Sequence, residues 1–509
     1  MPEICMPAPE SSLIKVLLPL NLHWTPTYSL PEGMTVRRGN RVRVPFAGRE
    51  YVGVILGSDD TTPVNSEKIL QVAEVLDIPP VSSEEFELWD FVSQYYLCPL
   101  GEVCRIASPA AAQEKPPLAT IKKLAQNNFP DIRKPHLSAI LKQSVQAILE
   151  AFDQGINVLL CAGSSRRQIF QELSRRTLES GRDVLLLRPS VDAPVLEGAL
   201  CYSSSLSSAQ KRNTFHLVRT AGPLLVEGES PAVFLPFGNL GLVIVDDEFS
   251  QDYKQSFRPP FYNARDVAYM LAKIRKAPLL LCAEYPSLES LYNCSAGRLK
   301  RIDINDSPSI GKFEIIDTSR EKLKNGMVGN FPRIALARME STLRENGRVL
   351  LLQPWKDTSD IEIEARKNFP SAGSKINSMS LWKADRNELS KYSLVILSNV
   401  DYLLSRQDFR ADEYAFRQIE RLKRQCSDLL IQTSESGHYI FSGGNALEKM
   451  LSQRREFSLP PFTREVRIRN GEASESLFLA KDAALEKRKH ELLKNAPRGA
   501  VIDVDPCGL

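Results

Sequence analysis

The run Leu242-Val243-Ile244-Val245-Asp246-Asp247-Glu248 constrains this chain more than any other. An unbroken apolar stretch of strand length is buried on both faces, and burial on both faces belongs to a parallel sheet covered by helices. The three carboxylates that end it then stand at the carboxyl edge of the sheet. Open α/β folds gather their ligands there, and an Asp at that edge can hold Mg²⁺ beside a nucleotide. Such a strand calls for a phosphate-gripping loop upstream, and Asn157-Val158-Leu159-Leu160-Cys161-Ala162-Gly163-Ser164-Ser165-Arg166-Arg167-Gln168 is the candidate. It reads as strand, turn and helix, but the turn is chemically wrong. A phosphate loop needs glycines that let backbone N–H groups approach the phosphates, a lysine, and a hydroxyl for the metal.

The surrounding pattern agrees with a doubly wound α/β fold. Helix 138–153 precedes strand 157–161, helix 167–179 precedes strand 183–187, and strands 242–246 and 278–283 follow. A second such run has helix 333–345, strand 348–353, strand 394–398, helix 411–424 and strand 429–432. Ahead of both, residues 13–57 alternate apolar and polar between turn signals and predict a small β-rich, barrel-like domain. Residues 84–107 predict a helix with Phe86, Leu88, Trp89, Phe91, Val92, Tyr95 and Tyr96 on its apolar face. The expected divisions are a β domain over 1–108, a linker over 109–136, parallel lobes over 137–312 and 313–434, and a helix-rich C-terminal α+β domain over 435–509. At 509 residues, this size accommodates several domains.

Bulk properties exclude several classes. The nine cysteines form no C-x-x-C pair, so neither a zinc ribbon nor a disulfide framework is signalled. No run of 18 apolar residues occurs, so no membrane is expected and a cytoplasmic location is. The net charge of +3 is too small to argue for nucleic acid; local clusters must carry that case.

Several segments together resemble the primosomal protein N′ (PriA) family of replication restart proteins. They include Met34-Thr35-Val36-Arg37-Arg38-Gly39-Asn40-Arg41-Val42-Arg43-Val44-Pro45-Phe46, Tyr51-Val52-Gly53-Val54-Ile55 and Tyr95-Tyr96-Leu97-Cys98-Pro99-Leu100-Gly101-Glu102-Val103. Asn239-Leu240-Gly241-Leu242 with the acidic strand, Tyr253-Lys254-Gln255, Tyr262-Asn263-Ala264-Arg265-Asp266 and Pro286-Ser287-Leu288 continue in the family order. Asp408-Phe409-Arg410-Ala411, Leu459-Pro460-Pro461-Phe462 and Asp503 near the end complete it. The resemblance implies a domain that binds DNA 3′ ends, followed by two RecA-like lobes of the superfamily 2 helicase type. It also implies a role in reloading replication machinery at stalled forks.

The departures from that family define the reading. Ser165, Arg166 and Arg167 stand where the family has glycine, lysine and a hydroxyl residue, and Cys161-Ala162 where it has its leading glycine. Asp246 is kept, Asp247 replaces the water-activating glutamate, and Phe249 replaces a histidine. Ala283-Glu284-Tyr285 occupies the Ser-Ala-Thr coupling motif, and the Gly-Thr-Gln start of a later motif is reduced to Ser398-Asn399-Val400. Gln425 stands at the first arginine-finger position, so the finger is expected to be absent; the alternative is that Arg424 beside it serves as a shifted substitute. The remnant nucleotide site would comprise Gly163, Ser164, Arg166, Asp246 and Asp247. No cofactor is expected. The altered loop argues against ATP with magnesium, and the missing cysteine-rich insertion between Gln353 and Ile361 argues against zinc.

For DNA, the candidate contacts are Tyr28, Gly39, Arg41, Arg43, Lys254 and Arg265. Arg41 and Arg43 share one strand face by their spacing, with Arg37, Arg38 and Arg49 nearby. Trp24, Tyr28 and Tyr51 could stack on an unpaired base. The family's Phe-Asp-Tyr segment, whose Asp holds the 3′ hydroxyl, is Pro26-Thr27-Tyr28 here. A salt bridge within Arg265-Asp266 is at least as good a reading as DNA contact, and the Lys481–Lys494 run reads as a solvated helix face. The expected function is a non-enzymatic, fork-binding restart protein. Its partners would be forked, branched or single-stranded DNA, the replicative helicase, other primosome proteins and single-strand binding protein. The alternatives are an active 3′→5′ helicase with divergent motifs and a scaffold that binds no DNA.

Overall fold

The computed structural model describes residues 13–59, 69–109, 132–191, 195–220, 222–304, 311–384, 389–406, 408–443, 445–497 and 499–506. Most of the expected linker, 110–131, lies outside them. The chain forms two compact units, one made of residues 1–304 with 463–508 and the other centred on 305–462.

The first unit opens with strands β1 (Leu13–Leu17), β2 (Thr27–Ser29), β3 (Arg41–Phe46), β4 (Arg49–Ser58) and β5 (Glu74–Val75). They form an antiparallel sheet in the order β2-β1-β4-β3-β5. Gln71, just before β5, bridges back to Ser29 in β2 and brings the two edges together, the half-closed barrel that the alternating pattern implied. Inside lie Ile14, Val16, Tyr28, Val42, Val44 and Ile55. The single helix expected over 84–107 is two, α1 (Ser83–Tyr95) and α2 (Leu100–Ala107). Leu97 adopts a left-handed conformation, φ 55°, and Pro99 cannot continue a helix, so the chain turns between them. Gly101 allows that turn to lie against the barrel, since a Cβ there would meet the Leu20 carbonyl at 2.2 Å.

The parallel sheet has seven strands, three more than the sequence pattern revealed. These are β6 (Asn157–Cys161), β7 (Asp183–Leu187), β8 (Leu200–Tyr202), β9 (Leu225–Gly228), β10 (Leu240–Asp246), β11 (Leu279–Ala283) and β12 (Leu299–Asp303). Their order is β12-β6-β11-β10-β7-β9-β8, and every pairing is parallel. Alternate residues serve opposite faces. Val158, Leu160, Leu242 and Ile244 join the core beneath α3 (Ala139–Asp153) and α4 (Arg166–Glu179). Leu159, Val243 and Val245 join the core shared with α1, α2 and α5 (Ala264–Ile274).

The second unit holds a five-stranded parallel sheet of β13 (Lys312–Asp317), β14 (Val349–Gln353), β15 (Ile376–Ser380), β16 (Leu394–Leu397) and β17 (Asp428–Thr433), in the order β13-β17-β16-β14-β15. Its helices include α6 (Arg333–Arg344), α7 (Ser359–Asn368), α8 (Ala411–Gln425) and α9 (Asn445–Glu456). Each unit thus carries the parallel, helix-covered α/β sheet that the strand and helix alternation predicted.

The C-terminal segment 435–509 is not one domain. Residues 435–462 belong to the second unit, and 463–508 return to the first. The returning part is not helix-rich: it contains two eight-residue strands, β18 (Thr463–Asn470) and β19 (Ala473–Ala480), then α10 (Leu485–Asn495) and β20 (Val501–Val504). Val466 and Val504 enter the same core as Trp89 and Tyr96, which ties this sheet to the first unit.

Candidate functional site

The carboxyl edge of the seven-stranded sheet places Asp246 beside Cys282 of β11, whose neighbour Ala283 pairs with Cys161 of β6. Arg166, the first residue of α4, reaches across this edge. Its Nε lies 2.8 Å from Asp246 Oδ1, and its Nη1 is 3.4 Å from the Gly163 carbonyl. Gly163 is buried, and Ser164 and Arg167 are exposed. The cation at the aspartate is therefore Arg166 and not Arg167, the residue aligned with the metal-binding hydroxyl. Burial pushes the Asp246 carboxyl above its ordinary range against the pull of Arg166. Burial also works against the guanidinium, yet Asp246, Cys282, Asp247 and Glu284 hold the Arg166 pKa above the usual arginine value. Asp247 turns the chain away with φ 51°.

Glu248 has a role that strand-end carboxylates do not advertise in sequence. Its side chain is fully buried and accepts from the Ser287 amide at 2.6 Å, the Ser287 hydroxyl at 2.9 Å and Arg265 Nη1 at 3.1 Å. Arg265 Nε also holds Asp266 at 2.9 Å. This network clamps the end of β10 to the segment after β11 and to the start of α5. The proximity of Glu248, Arg265 and Pro286-Ser287 in the family order was the available signal.

Most of the residues singled out for DNA contact are engaged inside the protein. Lys254 Nζ lies 2.7 Å from Asp503 and donates to the carbonyls of Phe261 at 2.6 Å and Val504 at 2.8 Å. It also sits over the ring of Tyr96, whose hydroxyl accepts from the Asn263 amide at 3.0 Å. Tyr95 donates to Asp505, which also pairs with Arg464. Arg41 is 1% exposed and donates to Ser108 and the Pro79 carbonyl. Burial lowers its pKa to about 10. Tyr28 is buried, bonded to the Pro45 carbonyl, and its hydroxyl is pushed up to about 12 by desolvation. Gly39 serves packing, since a Cβ there would meet the Val81 carbonyl at 2.2 Å.

Arg43 differs. It shares the face of Arg41 as the spacing predicted, but its side chain is 40% exposed, with Glu74 at 3.1 Å. Period-two spacing fixes a shared face but not which part of that face a neighbouring element covers. On the same domain, Trp24 is 60% exposed and begins an aromatic strip, 6.2 Å from Phe46, which is 6.3 Å from Tyr51. Thr27 donates to the buried Asp59 at 2.6 Å. Arg37 and Arg49 are exposed, and Arg38 stacks over Phe86.

In the second unit, Asp408 accepts from the Arg410 amide at 2.8 Å and opens α8. Arg424 is half-buried and Gln425 exposed in the last turn of that helix. The connection from β14 to α7 is short, spanning residues 354–358. Among the described residues no group of three or more His, Cys, Asp or Glu is placed to hold a metal ion, and no helix is long and apolar enough to cross a membrane.

Comparison with known proteins gives these features a context. Residues 15–109 match the PriA family described as 3′DNA-binding domain (3′BD). The replication restart protein PriA of Rickettsia felis is 29% identical over 353 residues, covering 67% of this chain and 53% of that protein. PriA of Haemophilus influenzae is 23% identical over 438 residues, covering 67% of this chain and 58% of its own length. The chain thus spans between half and three-fifths of the length of these relatives. Among solved structures, the DUF1998 helicase MrfA aligns with a TM-score of 0.35 at 13% identity, over 64% of this chain and 54% of its own. A DEAD box protein from Methanococcus jannaschii gives 0.31 at 12%, over 64% and 96%. Residues 15–109 are thus similar to the PriA-type 3′ DNA-binding domain, and two-thirds of the chain is similar in sequence to replication restart proteins of that name.

Proposed function

We propose that this protein binds forked, branched or single-stranded DNA through its N-terminal domain and helps reload a replicative helicase, without hydrolysing ATP. The match of residues 15–109 to a 3′ DNA-binding domain carries the DNA part of this reading. Arg43, Arg37 and Arg49 offer charge for phosphates, and the exposed Trp24 offers a face for a terminal base. The proposed partners are the replicative helicase, other primosome proteins and single-strand binding protein, which the resemblance to that family implies.

The donor set at Asp246 speaks against a magnesium nucleotide. A guanidinium rests on the carboxylate that would take the metal, and the loop before α4 has one glycine and no lysine. An arginine finger is worth about 10³–10⁵ in rate in comparable NTPases, and the position where the family carries its first one is Gln425. The residues do not fit the group.

Binding of a fork with a free 3′ terminus, compared with one whose terminus is blocked, tests this reading across a salt titration. Affinity that falls steeply with salt and weakens on blocking supports it. No affinity at low ionic strength in a folded protein would leave a scaffold that binds no DNA.

A further inference from the structure

We infer that Arg166 is a built-in counterion that does permanently what a bound divalent cation does transiently: it neutralises Asp246 and holds the loop before α4 closed. The inference rests on the reading that the chain does not turn over ATP, and extends it to what the altered residues do instead.

The geometry is specific. Asp246 lies at the end of a strand whose other residues are buried, with its side chain 17% exposed. A carboxylate there requires a compensating positive charge or it takes up a proton. Arg188 also pulls on the Asp246 carboxyl, while its own ion pair is with Glu227 at 3.0 Å. Arg166 makes direct contact with Asp246, and the same guanidinium reaches the Gly163 carbonyl, so one side chain bridges the loop and the acidic strand. The strand end is fixed from the other side by Tyr253, whose hydroxyl donates to the carbonyls of Asp246 at 2.6 Å and Leu187 at 3.0 Å. A helix N-terminus preceded by glycines ordinarily presents its N–H groups to an anion. Here the helix begins with its own cation, folded back onto the protein's own acid. The consequence is a sheet edge whose integrity, and any DNA binding that depends on it, is insensitive to magnesium and nucleotide.

Thermal melting of the full chain, with and without magnesium chloride and ATPγS, tests this alongside Arg166→Met and Arg166→Met/Asp246→Asn. Neither magnesium nor the nucleotide should move the wild-type midpoint. Arg166→Met should lower it on the order of 5 °C, because a largely desolvated carboxylate is left without its direct partner, and the double variant should recover most of that loss. A single variant that fails to fold while the double variant folds carries the same meaning. The inference is overturned by a wild-type midpoint raised by magnesium with ATPγS, by an Arg166→Met midpoint equal to wild type, or by a double variant no better than the single one. Steady-state ATP turnover, measured separately, distinguishes the two readings. A nucleotide-stabilised protein without turnover removes the counterion alone, whereas turnover with an intact counterion pattern removes the functional reading.

Discussion

Replacing Lys254 by methionine should unfold the first unit far more readily than any change in DNA affinity would explain. The ammonium is 1% exposed, 2.7 Å from an Asp503 carboxylate that is 6% exposed, and it satisfies two carbonyls. Removing one partner of a buried ion pair costs about 3–5 kcal/mol. Arg469 lies 3.7 Å from the same carboxylate and compensates in part, which places the expected loss near the lower end, about 3 kcal/mol. Urea unfolding followed by tryptophan fluorescence reads this, because Trp89 is buried in the same core. The pH dependence supplies the sign. Burial raises the Asp503 carboxyl pKa, and Lys254 opposes that rise. In the variant the carboxyl pKa rises further, so the deficit relative to wild type is largest where Asp503 is charged. It shrinks as pH falls and the carboxyl protonates. An unchanged midpoint, or a deficit that grows on acidification, would refute the assignment of Lys254 to the core.

Other outcomes follow from the same geometry. Arg43→Ala should weaken fork binding and reduce the slope of log affinity against log salt by up to about 0.9 with little loss of stability, whereas Arg41→Ala should destabilise the fold, as paired melting and salt-titrated binding would show. Trp24→Ala should cost about 1–3 kcal/mol in binding of a single-stranded end and almost nothing in melting temperature. Asp183 is 3% exposed, accepts from the Leu224 amide, and is raised by burial to about 6. A raised carboxyl contributes stability that is present below its unfolded value and lost as pH rises through about 6. Asp183→Asn should therefore gain on wild type above that pH by up to about 3 kcal/mol and lose the advantage in acid, as urea titrations across pH would reveal.

The periodicity of apolar residues located β6, β7, β10, β11, β14, β16 and β17 within a residue or two, because a strand buried on both faces leaves an unbroken apolar run. The short strands at Leu200–Tyr202 and Leu299–Asp303 left no such mark: the second exposes Arg301 and Asp303, and its pairing depends on β6 lying beside it. The eight-residue hairpin strands near the C-terminus were hidden among charges for a similar reason, since Ala473–Ala480 contains no fully buried residue. At the candidate site, residue type was readable and engagement was not. Arg41, Lys254 and Arg265 look like phosphate ligands in a sequence, and only the surrounding segments show that each meets a carboxylate, a carbonyl or a hydroxyl within the fold. Arg43 is told apart from Arg41 by what α2 and its flanking residues cover, Ser108 among them.

We propose that the sheet edge at Asp246, with Arg166 resting on it, supports no ATP turnover. Steady-state ATP hydrolysis, measured while the protein is bound to forked DNA, addresses it most directly. Turnover should be no greater with the fork than without it, even at saturating DNA. Fork-stimulated hydrolysis that disappears in Asp246→Ala would contradict the claim.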